Sequence, residues 1–253
     1  MTGTVYLVGA GPGAPDLLTL RAARLLERAD IVLHDALVHP DTLALASRAI
    51  RVPVGKRCGR LSTAQRFIDK RLVDAARAHE TVVRLKGGDP MLFGRAAEEM
   101  AALAAAGIAF EVVPGVSAAF AASAELGASL TVRGVARSVA FVTPRFGDGE
   151  AAHDWARCAA AADTVALYMA GARATEVAAA LIAAGVPGSR PAVLVESVSL
   201  AQRRVLPARL DRLAEAAARL GDGPVLLLVG QTYARVLAEA LGRLDAGAIA
   251  ASG

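Results

Sequence analysis

Leu85-Lys86-Gly87-Gly88-Asp89-Pro90 is the strongest indication of a fold class in this sequence. The apolar run before this turn, Thr81 to Leu85, predicts a β-strand, and a helical pattern resumes near Arg95. Two adjacent glycines at the end of a strand allow unusual backbone angles and let another molecule approach the backbone closely. In α/β sheets, ligands bind at the carboxyl ends of the strands. The stretch therefore predicts an α/β fold that holds a ligand at this turn.

A second glycine turn follows the first predicted strand. The apolar run Val5 to Val8 leads into Gly9-Ala10-Gly11-Pro12-Gly13, and with Ala14 the turn fits the G-x-G-x-x-G/A pattern of dinucleotide-binding folds. Asp35 lies after the next predicted strand, where such folds place an acid that binds ribose. Prolines at positions 12 and 15 argue against phosphate binding, because proline lacks the backbone N–H that a phosphate cradle uses. An oxidoreductase that binds a dinucleotide remains an open alternative.

Predicted strands and helices alternate along the whole chain, which is typical of α/β proteins with parallel sheets. The pattern changes near residues 131–137. We therefore expect two α/β domains, at residues 1–134 and 135–245, followed by a flexible tail at residues 246–253. Val205-Leu206 predicts an additional edge strand in the second domain.

Composition excludes several classes of protein. The 253 residues are 55% hydrophobic and 21% charged, which is typical of a globular protein. The net charge is +4, the basic residues are nearly all arginine, and no dense basic run indicates nucleic-acid binding. The apolar runs are too short to span a membrane, and the first strand follows the N-terminus too closely for a signal peptide, so we expect a cytoplasmic protein. Two distant cysteines and four scattered histidines predict no metal site.

Several polar residues lie where strands end, and each has two interpretations. Asp35 is either a general base or a residue that caps a turn. Lys56, in Val54-Gly55-Lys56-Arg57, meets an anion or supplies a proton, or is simply a solvated cation. Asp89 binds a ligand hydroxyl or caps its turn, and Ser117 donates to a ligand or caps the following helix. Met169 belongs either to the core or to a ligand contact.

Five segments occur in an order that resembles one known family. They are Val8-Gly9-Ala10-Gly11-Pro12-Gly13, Asp35-Ala36-Leu37-Val38, Val54-Gly55-Lys56-Arg57, Leu85-Lys86-Gly87-Gly88-Asp89-Pro90 with Phe93-Gly94-Arg95, and Val113-Pro114-Gly115. The series resembles the tetrapyrrole methylase family, from about Thr4 to Leu241. The second and third segments are most similar to the members that methylate uroporphyrinogen III.

The resemblance implies two α/β domains with S-adenosylmethionine bound in the cleft between them, in a homodimer. It implies transfer of two methyl groups to uroporphyrinogen III to give precorrin-2, a precursor of siroheme and cobalamin. A methylase of a later corrin precursor is the alternative within the family. By resemblance, the cofactor contacts fall on Pro12, Gly87, Gly88, Asp89, Leu92, Ser117, Ala118, Met169 and Val198. The proton acceptor and the proton donor match Asp35 and Lys56.

Arginines are expected to hold the substrate, since the implied tetrapyrrole carries several carboxylates. The candidates are Arg57, Arg95 and Arg133, because a guanidinium binds a carboxylate through two parallel hydrogen bonds. The chain also departs from the family at Ser197-Val198-Ser199, where Asn-Ala/Gly-Ser/Thr is frequent. This difference falls on one of the implied cofactor contacts.

Overall fold

The structure is a computed structural model that describes residues 2–54, 65–145 and 153–250, with side chains given up to residue 242. Contacts between residues divide the chain into two compact units, Met1–Ala118 and Ala119–Gly253. This division falls earlier in the chain than the domain boundary expected between residues 134 and 135, which stays a prediction. Among the described residues, no helix is long and apolar enough to cross a membrane.

The first unit is built on a five-stranded parallel sheet. Its elements in chain order are β1 (Thr4–Gly9), α1 (Leu20–Arg28), β2 (Ile31–His34), α2 (Pro40–Ala44), β3 (Ile50–Pro53), α3 (Gln65–Ala78), β4 (Thr81–Lys86), α4 (Ala96–Ala105) and β5 (Phe110–Val113). The strands lie in the order β3-β2-β4-β1-β5. Every pair of neighbours is parallel, as the alternation of strands and helices predicts.

Strand β4 lies inside the first unit and has a buried layer on each face. Val82 belongs to the apolar cluster that includes Leu72 of α3 and Leu103 of α4. Val83 belongs to the cluster on the other face, which includes Leu26 of α1. Since side chains alternate between the faces of a strand, Arg84 and Lys86 lie on the same face as Val82, toward α3 and α4. Two cations therefore enter an apolar layer.

The second unit holds a mixed sheet. Its elements are α5 (Ala118–Glu125), which begins at the last residue of the first unit, β6 (Val139–Val142), α6 (Trp155–Ala160), β7 (Thr164–Tyr168), α7 (Ala174–Ala183), β8 (Pro191–Glu196), β9 (Arg204–Arg209), α8 (Leu213–Ala217), β10 (Val225–Gly230) and α9 (Ala234–Ala250). The order is β6-β7-β10-β8-β9, and only β6 and β7 pair in parallel. Parallel pairing throughout was therefore wrong for this unit.

Two smaller expectations concern the second unit. The edge strand predicted at Val205-Leu206 is confirmed, because β9 lies at the edge of the sheet. Helix α9 continues to Ala250, through residues 246–250 of the segment that we expected to be a flexible tail. Residues 251–253 lie outside the described residues.

Asp163 connects the beginnings of β6 and β7. Its Oδ2 accepts hydrogen bonds from the backbone N–H of Arg137 at 2.8 Å and of Ser138 at 3.0 Å, and from the Ser138 hydroxyl at 2.8 Å. The Arg137 N–H, followed by the Ser138 hydroxyl and N–H, holds the pKa of the Asp163 carboxyl below its usual value. A carboxyl of this kind stabilises the fold above its unfolded pKa, and the contribution is lost as the pH falls through the folded pKa.

The Asp163→Asn variant should therefore unfold at a lower temperature than the parent at pH 7. The difference should shrink as the pH falls below about 4, where the parent carboxyl also becomes neutral. Thermal unfolding followed by circular dichroism between pH 3 and pH 7 measures both effects, with the exposed Asp222→Asn as the matched control. A difference in midpoint that stays constant over this range would contradict the assignment.

Candidate functional site

The two glycine turns lie side by side and are hydrogen-bonded to each other. β1 and β4 are neighbours in register, so that Gly9 is paired with Lys86. Past that point, the Gly88 N–H donates to the Gly11 carbonyl at 2.7 Å, and the Gly11 N–H donates to the Gly88 carbonyl at 3.2 Å. The Ala10 N–H donates to the Lys86 carbonyl at 2.7 Å. The first turn thus uses two N–H groups that a phosphate cradle would need, which argues against the dinucleotide alternative.

A third turn, Pro114-Gly115 after β5, packs against the first two. A Cβ atom on Gly9 would lie 2.5 Å from the Gly115 Cα and 2.7 Å from the Gly88 carbonyl oxygen. Asp89 connects the turns as well, because its Oδ2 accepts from the Gly115 N–H at 2.9 Å. Its Oδ1 accepts from the Met91 N–H at 2.8 Å, so the structure supports the interpretation that Asp89 caps its own turn.

Open space lies beside the second turn. Gly88 has a φ of +67°, and a Cβ atom built on it would have no heavy atom within 4 Å. A Cβ atom on Gly87 would meet only the Leu37 Cβ, at 3.6 Å, which is an ordinary contact. No contact within the protein therefore requires that residue 87 lack a side chain. A ligand placed against this backbone would require it, and in this respect the turn fits the predicted cofactor.

The other cofactor residues predicted in the first unit lie in or near these turns. Pro12 and Leu92 are partly buried within the first and second turns. Ser117 is buried, and Ala118, which follows it, begins α5. These residues remain predicted contacts, since they are consistent with a ligand at the turns but do not identify one.

The predicted contacts in the second unit lie in segments with unusual backbone angles. Met169 follows β7, has a φ of +58° and is 42% exposed. Val198 is buried and lies between Ser197, with a φ of +53°, and Ser199, with a φ of +63°. Left-handed angles cost a non-glycine residue about 1–2 kcal/mol. Such strain is concentrated at functional sites in proteins, so both segments remain candidates.

Asp35 is paired with a buried arginine. Arg84 Nη2 lies 2.5 Å from Asp35 Oδ1, and Arg84 Nε lies 2.9 Å from Glu99 Oε1. Lys86 Nζ lies 2.7 Å from Glu99 Oε2. The four side chains form a continuous series of ion pairs, which we call the charge chain: Asp35, Arg84, Glu99 and Lys86. It runs from the interior beside α4 to the carboxyl end of β2.

Only one end of the charge chain reaches solvent. The Asp35 side chain is 31% exposed, whereas those of Arg84, Glu99 and Lys86 are 3%, 0% and 2% exposed. Burial acts to lower the pKa of Arg84, but the charges of Asp35 and Glu99 outweigh it and raise the pKa. Burial, followed by repulsion from Arg84, lowers the pKa of Lys86 although Glu99 opposes the change.

Asp35 therefore lies just after β2, at the end of the sheet where a ligand is predicted, and its side chain is partly exposed. The Asp35 carbonyl accepts from the Val38 N–H at 3.3 Å, so the backbone forms the turn while the side chain pairs with Arg84. This arrangement does not fit the capping interpretation, and proton acceptance by Asp35 stays a prediction. A carboxylate with a solvent-facing side can take a proton from a neighbouring molecule.

Sequence reasoning missed Arg84, Glu99 and Lys86 as part of this site. A usable signal was present, since two cations separated by one residue in an apolar strand lie on the same face and need a buried anion. The acids at the beginning of α4, Glu98 and Glu99, were the candidates.

The remaining predicted substrate and proton-transfer residues are Lys56, Arg57, Arg95 and Arg133. Lys56 and Arg57 lie outside the described residues. Arg95 donates from Nε and Nη2 to both carboxylate oxygens of Glu98, at 2.7 Å each, so a substrate carboxylate would have to displace Glu98. Arg133 is exposed in the second unit. Within the described ranges, no group of three or more His, Cys, Asp or Glu residues is arranged to hold a metal.

Comparison with known proteins identifies relatives of both units. The family model described as Tetrapyrrole (Corrin/Porphyrin) Methylases matches residues 4–214. A siroheme synthase from Chromobacterium violaceum is 46% identical over 231 residues, which are 90% of this chain and 49% of that protein. A siroheme synthase from Pseudomonas aeruginosa is 44% identical over 232 residues, covering 91% of this chain and 50% of that protein. The chain thus spans about half the length of these curated relatives.

Solved structures match over the whole of their own length or nearly so. A uroporphyrin-III C-methyltransferase from Thermus thermophilus, complexed with S-adenosylhomocysteine, is 41% identical with a TM-score of 0.81. The match covers 92% of this chain and 100% of that one. A cobalt precorrin-4 methyltransferase is 28% identical with a TM-score of 0.79, and the match covers 90% of this chain and 95% of that one.

Proposed function

Because the chain belongs to the tetrapyrrole methylase family, we propose that it is an S-adenosylmethionine-dependent C-methyltransferase acting on uroporphyrinogen III. Two successive methylations would give precorrin-2. The observation that carries the proposal is the joining of the glycine turns of β1 and β4 into one backbone-lined edge, with Asp35 at the end of the neighbouring strand β2. The match to a C-methyltransferase complexed with S-adenosylhomocysteine supports the choice of cofactor.

The turns would hold the cofactor against their backbone, with Gly87 and Gly88 leaving room for it. When bound, S-adenosylmethionine supplies an electrophilic methyl group for a pyrrole carbon of the substrate. The main contribution of the protein would be alignment of the two reactants, which is worth roughly 7–11 kcal/mol in well-oriented systems. Asp35 would accept the proton that the ring loses after methylation. The expected proton donor, Lys56, stays a prediction.

Arginine side chains would bind the carboxylates of the substrate. Arg57, Arg95 and Arg133 remain the proposed contacts, and Arg95 would exchange Glu98 for a substrate carboxylate. The family also supports the proposal of a homodimer. Its alternative substrate, a later corrin precursor, is supported by the 28% identity to the cobalt precorrin-4 methyltransferase.

The purified protein should add two methyl groups to uroporphyrinogen III. The measurement is mass spectrometry of the tetrapyrrole after anaerobic incubation with S-adenosylmethionine, together with the amount of S-adenosylhomocysteine formed. Two equivalents of S-adenosylhomocysteine are expected for each dimethylated product, because each methyl transfer releases one.

Two further measurements distinguish the alternatives. Equilibrium binding of NAD is compared with that of S-adenosylmethionine, and a parallel methylation reaction contains a later corrin precursor. Methylation of the later precursor alone would replace the proposed substrate and keep the reaction class. If neither tetrapyrrole gains mass while S-adenosylhomocysteine binds tightly, the proposed activity is wrong although the cofactor site is right.

A further inference from the structure

We infer that Glu99 is a positioning residue for this reaction, because it holds Arg84 in the orientation that pairs with Asp35. Glu99 itself is fully buried, and its connection to Asp35 runs through Arg84. The inference rests on the proposed function, since it assigns Asp35 the role of proton acceptor. It adds to the proposed site a buried carboxylate on α4, which lies 64 positions after Asp35 in the chain.

The burial of three charges has a large cost and needs a reason. Transfer of one ion from water into a protein interior costs several kcal/mol even after relaxation. Well-packed apolar side chains in the same space are often equally stable or more so. Arg84, Glu99 and Lys86 are therefore poorly explained as a device for stability. They are connected to the partly exposed Asp35, which lies beside the proposed cofactor turns, and we assign them the role of positioning its carboxylate.

The hydrogen bonds of Arg84 leave its guanidinium little freedom. Nε donates to Glu99 Oε1 at 2.9 Å, and Nη1 donates to the backbone carbonyl of Leu85 at 3.2 Å. Nη2 is thereby directed at Asp35 Oδ1. The fork of an arginine is planar, so fixing Nε and Nη1 also fixes the direction of Nη2. Glu99 is the side-chain partner that sets this plane from the interior.

The charges of the four side chains in the charge chain also balance. Arg84 and Lys86 carry two positive charges, and Asp35 and Glu99 carry two negative charges. Loss of the Glu99 charge would leave two neighbouring buried cations that share Asp35 alone. Arg84 Nε and Lys86 Nζ would compete for the single amide oxygen of a glutamine that replaces Glu99, and Arg84 would lose the partner that fixes its plane. Removal of Lys86 at the same time would restore the balance, and this pair of changes forms the basis of the test.

Glu99→Gln should lower the turnover of methyl transfer by about tenfold or more, since small misplacements of catalytic groups have effects of this size. KM for both substrates and the Kd of S-adenosylhomocysteine should stay within about twofold, because the glycine turns are untouched. Adding Lys86→Met to Glu99→Gln should return most of the lost turnover, since the introduced amide oxygen can still accept from Arg84 Nε. Glu111→Gln, an exposed acid on β5, is the control and should keep parent turnover.

The inference is wrong if Glu99→Gln keeps parent turnover, if its turnover falls only together with cofactor affinity, or if Lys86→Met restores nothing. Should Glu99→Gln fail to fold, Glu99→Asp keeps the charge but shortens the side chain. Turnover must then fall several-fold at unchanged Kd for S-adenosylhomocysteine, and a parent-like value overturns the inference.

A crystal structure of Glu99→Gln provides a readout that does not depend on activity. Arg84 Nη2 is expected to lie beyond hydrogen-bond distance of Asp35 Oδ1. If the parent protein methylates no tetrapyrrole and this displacement is still seen, the proposed function has failed while the positioning by Glu99 stands. An Arg84–Asp35 pair that is unchanged in the variant contradicts the inference whatever the activity.

Discussion

Asp35→Asn should lower the turnover of methyl transfer by about two to four orders of magnitude, the usual contribution of a general base. An amide cannot accept the proton that the methylated ring must lose. The affinity for S-adenosylhomocysteine should stay nearly unchanged, because the glycine turns do not depend on this side chain. Single-turnover kinetics with saturating cofactor, together with calorimetric titration of S-adenosylhomocysteine, measure the two quantities separately.

The same substitution removes one of the two carboxylates that neutralise Arg84. The free energy of unfolding should therefore fall, but by less than the roughly 3–5 kcal/mol that breaking a fully buried pair costs, because Asp35 is partly exposed. Asp41→Asn, an exposed acid on α2, is the control and should change neither quantity. A large loss of cofactor affinity in Asp35→Asn would show instead that Asp35 has a structural role.

The sequence predicted the first unit well because its signals are local. The strands expected at Val5 to Val8 and at Thr81 to Leu85 lie within β1 and β4 of the structure. Both are short apolar runs bordered by turn residues. The glycine turns were predictable for the same reason, since adjacent glycines after an apolar run have few other uses. That the turns bond to each other followed from the parallel order of β1 and β4.

Strand direction in the second unit could not be obtained in this way. β8 and β10 are continuous apolar runs that are buried over nearly their whole length. Such a run is typical of parallel strands with both faces covered, and here the same burial occurs in antiparallel pairs. Hydrophobicity reports burial, and burial does not depend on the direction of the neighbouring strand.

The charge chain was missed for a related reason. Arg84 and Lys86 lie in a strand whose apolar neighbours dominate its pattern, and Glu99 follows an exposed acid on α4. Which of two adjacent acids points inward depends on how α4 packs on the sheet, and that is a tertiary property. Asp35 could be singled out because it ends a strand, but its partner could not.

Gly9→Ala should destabilise the first unit by about 3 kcal/mol or more, at or above the upper end of the usual cost of overpacking. The new Cβ atom would lie within 2.5–2.7 Å of the Gly115 Cα and N and of the Gly88 carbonyl oxygen. All three are backbone atoms, which cannot rotate away as a side chain does. Urea unfolding followed by circular dichroism should give a lower midpoint, and the variant should also lose affinity for S-adenosylhomocysteine because the turns separate.

Gly87→Ala is the matched contrast, because its Cβ atom would make only an ordinary contact with Leu37. Its free energy of unfolding should stay within about 0.5 kcal/mol of that of the parent. Its affinity for S-adenosylhomocysteine should nevertheless fall about tenfold or more, since a methyl group would occupy space that the ligand needs. If Gly87→Ala binds S-adenosylhomocysteine as the parent does, Gly87 is not a cofactor contact. If Gly9→Ala is as stable as the parent, the three turns do not pack as closely as described. The proposed cofactor site on their backbone is then contradicted as well.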